Sequence, residues 1–181
     1  KQLFLQYEAL GITAEIACCD APDATWIKVE SQFTIHALGP SYRGYAFPSK
    51  LLPWLRNNAS RFDAVIVDGI WQYHSLAVGL ALARTKVPYF VFTHGMLGPW
   101  FKINQPIKHM KKWLYWPWAD YLVLRNAKAV LFTCNEERLL ARQSFWLYKA
   151  NEKIVGLGTA PPKIKKPQIS FLETYPELKH K

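Results

Sequence analysis

Cysteine is scarce in this chain, with three in 181 residues. Cys18, Cys19 and Cys134 are too few and too unevenly spaced for a disulfide framework or a zinc site. Cys18 and Cys19, inside an apolar run, read as buried, reduced thiols, which points to a reducing, cytoplasmic setting. Long apolar runs are missing too, and no stretch approaches the ~18 consecutive residues of a membrane span. Acidic residues are in short supply: 13 Asp+Glu against 23 Lys+Arg leave a net charge of +10. Such a balance suits an anionic partner, whether nucleic acid, a phosphorylated substrate or an anionic membrane. The chain has no G-x-G-x-x-G, no P-loop and no G-x-S-x-G, so dinucleotide binding, NTP hydrolysis and serine-hydrolase chemistry lose their main support. No D-x-D pair and no convincing metal spacing is present, and no metal is expected. What the chain does have is apolar bulk: half of its residues are hydrophobic and 15% are aromatic. That is enough for a sizeable core in one domain, or one domain plus a tail.

Patterning along the chain alternates between two periods. Leu3, Tyr7 and Leu10 repeat as the back of a helix closed by Gly11. Apolar runs at 14–19, 33–38, 62–69, 87–95, 127–135 and 153–158 read as strands, the later ones apolar throughout. Ser49 is a candidate cap for a helix running to about Asn58. Residues 74–85 read as a helix with Leu76, Leu80 and Ala83 on one stripe. Residues from about Pro106 to Asn126 form a basic, aromatic helical region that Pro117 should break. A helix over 136–148 follows, with Asn135 as candidate N-cap and Glu136 and Glu137 at the favourable end of its dipole. Strands alternating with helices, and apolar on both faces, predict an α/β domain of Rossmann type: an open parallel sheet with helices on both faces. The expected domain is 1–158. Beyond Gly158 the Pro/Lys-rich stretch 159–181 reads as a linker or tail.

In such sheets ligands bind beyond the carboxyl ends of the strands. Those ends are Asp68-Gly69, His94-Gly95 and Cys134-Asn135. His94 has two readings, a core histidine bonded to backbone or a group that bonds a sugar hydroxyl or stabilises developing charge. Gly95 beside it lets a ligand approach the backbone closely. In "DGIWQYHS", Trp71 and Tyr73 either line a sugar subsite or pack beneath the following helix. His74 is expected as a capping or surface residue, and Ser75 as helical. The stretch 102–118 interleaves Lys102, Lys108, Lys111 and Lys112 with Trp113, Trp116 and other large side chains. It suits a membrane-surface helix. It equally suits an ordinary helix whose aromatics face the sheet while its lysines snorkel. No nucleic-acid motif accompanies the charge, and nucleic acid is not an expected partner.

The stretches "FDAVIVDGIWQYHSLAVGLALA", "PYFVFTHGMLGPW", "KKWLYWPWADYLVLRNAKAVLFTCNEE" and "KIVGLGT", in this order and spacing, resemble the N-terminal half of the bacterial group 1 glycosyltransferases, the retaining family 4 with the GT-B fold. The resemblance covers most of residues 1–160. It implies an enzyme that transfers a sugar from a nucleotide-diphosphate sugar to a polysaccharide or lipid-linked acceptor. In that enzyme this domain forms the acceptor side of a cleft, and a C-terminal domain holds the nucleotide. It further implies that the histidine ending this strand, His94, contacts the donor sugar. Asp68, Gly69, Gly95, Trp71 and Tyr73 are the expected substrate-side residues. The family's Gly-rich loop would lie before Lys1, and its diphosphate-binding residues after Lys181, so the fragment alone is expected to be inactive. Many members carry His where this chain carries Asp68. The alternative function is a non-catalytic domain that is peripheral to the membrane or binds an anionic ligand; the expected location is the cytoplasm, with peripheral attachment to the inner face of the cell membrane.

Overall fold

The computed structural model describes residues 7, 9–29, 34–41, 45, 47–156, 158, 171 and 173–176. Thr13–Gly156 forms one compact unit, and Lys1–Ile12 with Leu157–Lys181 forms another. In the smaller unit, Tyr7 is helical, and its carbonyl accepts from the Leu10 and Ile12 amides. Gly11 takes φ +71, as a helix-closing glycine should. Leu3 and most of the expected 159–181 tail lie outside the described residues.

The larger unit runs β1 (Glu15–Cys18), α1 (Thr25–Val29), β2 (Thr34–Ala37), α2 (Leu51–Asn58), β3 (Val65–Asp68), α3 (Tyr73–Leu82), β4 (Tyr89–Phe92), α4 (Trp100–Asn104), α5 (Pro106–Tyr115), α6 (Asp120–Asn126), β5 (Ala129–Phe132), α7 (Asn135–Ala141) and β6 (Glu152–Ile154). Among the described residues the strands pair in parallel, in a two-stranded sheet β1-β2 and a four-stranded sheet β3-β4-β5-β6. This is the parallel α/β, Rossmann-like class that the alternating pattern predicts. The second sheet adds each new strand beside the last, so its right-handed crossovers all fall on one side. Accordingly α3 packs against both α2 and α6. The in-register row Val67, Val91 and Val130 is buried on that side. The other side is more open: Ile66 is 52% exposed, and Phe90, Phe92 and Leu131 are only half-buried. Burial on both faces is therefore incomplete among the described residues.

Several local readings change. Ser49 does not cap α2, which starts at Leu51 after Lys50 without a side-chain cap. On α3 the buried face is Ala77, Val78, Ala81 and Leu82, so the stripe of Leu76, Leu80 and Ala83 faces outward, with Leu80 half exposed. α7 stops at Ala141 instead of reaching Tyr148. The chain is drawn off because Phe145 turns into the core and the Ser144 hydroxyl donates to the Leu97 carbonyl. The N-cap of α7 is Cys134, whose sulfur accepts from the Glu137 amide, and Asn135 is the first helical residue. Cys18 and Cys19 are half-buried and Cys134 is exposed, so none of the three free thiols is a core residue. Pro117 does break the basic region: a 3-10 turn at Trp116–Trp118 separates α5 from α6.

Candidate functional site

Register places the carboxyl ends of β3 and β4 side by side, with Asp68 opposite Phe92. Alternation along the strands then puts Asp68 and Phe92 on one face, the open one, and contacts with both bring the His94 ring onto it. The His94 ring stacks on Phe92 at 5.4 Å and 16°, and its Nε2 meets the Asp68 carboxylate. Asp68 is mostly exposed, while a third of the His94 side chain is exposed. Imidazole and carboxylate thus form one polar pair across the two strand ends, open to solvent.

The backbone beneath that pair is unusual. His94 has φ +46, and Gly95 follows at φ +72. A non-glycine in the left-handed region costs about 1 kcal/mol or more, so other contacts must hold it. The Met96 amide closes a turn onto the Thr93 carbonyl at 2.9 Å. Glu137, in the first turn of α7, supplies the rest. Its Oε1 accepts from the Thr93 hydroxyl and from the Gly95 amide, both at 2.7 Å. Its Oε2 accepts from the Thr133 amide and hydroxyl at 2.8 and 2.7 Å. Burial works to raise the Glu137 pKa, but these donors outweigh it and hold the carboxyl below its usual range.

The corner after β3 has the same form. Gly69 takes φ +93, and Trp71 takes φ +71, an outlier for so bulky a residue. The buried Asp120 carboxylate accepts from the Trp71 amide at 3.0 Å and from the Ser75 hydroxyl at 2.7 Å. The indole N–H of Trp71 donates to the Met96 carbonyl at 2.9 Å, which ties the two corners together. The Trp71 ring lies against Phe145 and Trp116, with the Lys112 ammonium 4.6 Å above it. Burial raises Asp120 to about 6 against these donors and Lys112, and burial lowers Lys112 to about 8. His74, at the start of α3, contacts the Gly69 carbonyl through Nε2 at 3.1 Å.

These features form a lip of two strand ends. Residues 1–158 match the glycosyl transferase 4-like domain family. The chain belongs to that family. No match was found among curated proteins or among solved structures. For a glycosyl transferase 4-like domain, the lip is the natural candidate site, because it sits at the carboxyl ends of parallel strands.

Of the residues singled out by sequence, the fold brings Asp68, Gly69, His94 and Gly95 together. Gly69 is buried, and a Cβ there would meet the Met96 methyl at 3.2 Å; Gly95 is exposed, and a Cβ would meet nothing. Tyr73 is buried among Phe47 and Tyr45 rather than open to a ligand. Trp71 is half-buried and packs against Trp116 and Phe145 rather than beneath the following helix. Trp116 leaves the surface set: it is 1% exposed and its indole donates to the Leu147 carbonyl. Lys112 leaves it as well, folded over Trp71. Trp116 follows Lys112 by one helical turn and shares its inward face, while Trp113 stays outside. Glu137, Asp120, Thr93 and Met96 were not singled out by sequence. The only signal for Glu137 was its first-turn position in "TCNEE", which reads as an acid at the favourable end of a helix dipole. Among the described residues no cluster of three or more His, Cys, Asp or Glu could hold a metal ion.

Proposed function

We propose that this domain forms the acceptor side of a retaining, nucleotide-diphosphate-sugar-dependent glycosyltransferase of GT-B architecture, with a polysaccharide or lipid-linked acceptor. The observation that carries the reading is His94: a left-handed residue at a strand's carboxyl end, its ring on the open face and paired with Asp68, in a chain of this family. Retaining transfer breaks the bond from the anomeric carbon to phosphate and forms the new one on the same face, through an oxocarbenium-like state. Hydrogen-bond donors and carboxylates fixed beforehand around the sugar stabilise that state without reorganisation. His94 contributes a ring nitrogen to the donor sugar. Asp68 orients that ring and offers its exposed oxygen to an acceptor hydroxyl, and Gly95 leaves room for close approach. Trp71 and Tyr73 support the lip from behind. The nucleotide is held by a partner C-terminal domain, and no metal takes part. In the enzyme that contains both domains, His94→Ala should lower transfer at least roughly hundredfold while the fold survives. Wild-type turnover by that variant would sink the assignment.

A second property has its own support. α4 and α5 expose Trp100, Ile103, Ile107, Met110, Trp113 and Leu114, with Ile103 at 75% and Leu114 at 70%. Lys102, Lys108 and Lys111 are exposed among them. A groove of about 350 Å³ runs along α5, lined by Lys102, Pro106, His109, Met110, Trp113 and Leu114. Contiguous apolar surface rimmed by cations fits an anionic bilayer interface. Among the described residues no helix is long and apolar enough to cross a membrane. The proposed setting is the cytoplasmic face of the cell membrane, with the domain bound peripherally. Co-sedimentation with vesicles rich in anionic lipid should be strong at low salt and lost in Ile107→Ser/Leu114→Ser. Equal binding to neutral vesicles would overturn it.

A further inference from the structure

The His94 corner is held from behind by a residue that the sequence presents as a helix cap. The two oxygens of Glu137 have separate partners. Oε2 bonds Thr133, four residues back, which is all that capping its own helix requires. Oε1 reaches instead to β4, where a single atom accepts from Thr93 and from Gly95, the residues on either side of His94. Thr93 is fully buried, so its hydroxyl has no water to replace Glu137. Fixing both neighbours of one residue fixes the peptides that carry it. Those are the peptides that hold His94 at φ +46 and aim its ring onto Phe92 and Asp68, on the opposite side from Glu137.

We infer that Glu137 is a positioning residue for His94: through Oε1 it locks the left-handed backbone at 93–95 and so sets the direction of the imidazole. The importance of that direction for sugar transfer rests on the function proposed above; the lock itself does not.

The test is nuclear magnetic resonance on the chain of 181 residues, with His94 ring signals assigned by loss in His94→Gln. Glu137→Gln keeps the shape but offers one acceptor where two are needed, so either Gly95 or Thr133 loses its partner. The expected result is a shifted or broadened His94 ring signal and Gly95 amide exchange faster by roughly tenfold or more, with Val91 in mid-strand unchanged. Thr93→Val, which deletes one of the two Oε1 donors without changing shape, should move the same signals in the same direction. Thr133→Val, which touches only Oε2, should leave the His94 ring in place. Unchanged His94 and Gly95 signals in Glu137→Gln or in Thr93→Val would overturn the inference, as would a Thr133→Val effect equal to theirs. A transfer-competent His94→Ala enzyme would remove the functional reading and leave the lock standing.

Discussion

Trp71 and His94 both sit in the left-handed region, each one strand end away from the other, and each with a carboxylate from a later helix bonded at or beside it. At Trp71 the carboxylate is Asp120, sealed in the core, and its pKa is pushed up to about 6 by burial. At His94 it is Glu137, half-buried, with enough donors to bring its pKa down despite burial. The side chains they support point opposite ways. Trp71 goes inward, between Phe145 and Trp116, with Lys112 over its face. His94 goes outward, to Asp68 and solvent. One kind of corner therefore serves two ends: the first anchors the fold, and the second holds an imidazole out to solvent.

The contrast predicts a ranking. Asp120→Ala should be the most damaging change, about 4 kcal/mol, because it empties the site of a buried carboxylate, strands the Trp71 amide and leaves the Ser75 hydroxyl only the Gln72 carbonyl. Urea unfolding should show it, and a loss below 1 kcal/mol would mean water satisfies those donors. Next comes pH. The Asp120 carboxyl stands at about 6 in the fold against an ordinary 3.8. A raised acid favours the folded state while protonated. That contribution is complete below about pH 4 and is lost as pH rises through 6. Relative to Asp120→Asn, the wild type should lose on the order of 3 kcal/mol between pH 4 and 7. Parallel stability curves for the two proteins would refute this.

Glu137→Ala should cost less, about 2 kcal/mol, since its site is partly open to water. If it cost as much as Asp120→Ala, the distinction between an anchoring corner and a presenting one would collapse. The smallest effects belong to the glycines. Gly95→Ala should cost about 1 kcal/mol, from its positive φ alone, because a Cβ there meets nothing. Gly69→Ala should cost more, since its Cβ would also press on Met96 at 3.2 Å. Thermal unfolding midpoints of the two variants would rank them.

The strand ends were legible because an apolar run that stops at a polar residue and a glycine marks a buried parallel strand meeting a loop. His94 and Asp68 could thus be placed at the lip without coordinates. Their pairing could not, since it depends on the register of β3 against β4. The supports were less visible still. Asp120 and Glu137 lie 49 and 42 residues from the amides they hold. Glu137 looks in sequence like an acid favouring a helix N-terminus, and in the structure both it and Asp120 lie in a helix's first turn. Trp113 and Trp116 were indistinguishable by composition; which of them faces the core depends on which face of α5 lies against Trp71 and Phe145.

The Lys112–Trp71 stack has a mechanical consequence. Lys112 belongs to α5, the helix that shows Ile107, Met110 and Leu114 to the outside. It rests on Trp71, whose indole N–H grips the Met96 carbonyl, and Met96 closes the turn that carries His94. With the Trp71 amide fastened by Asp120, that indole is a lever on a fixed pivot. Force applied to α5 from outside has a short load path, and it ends at the histidine.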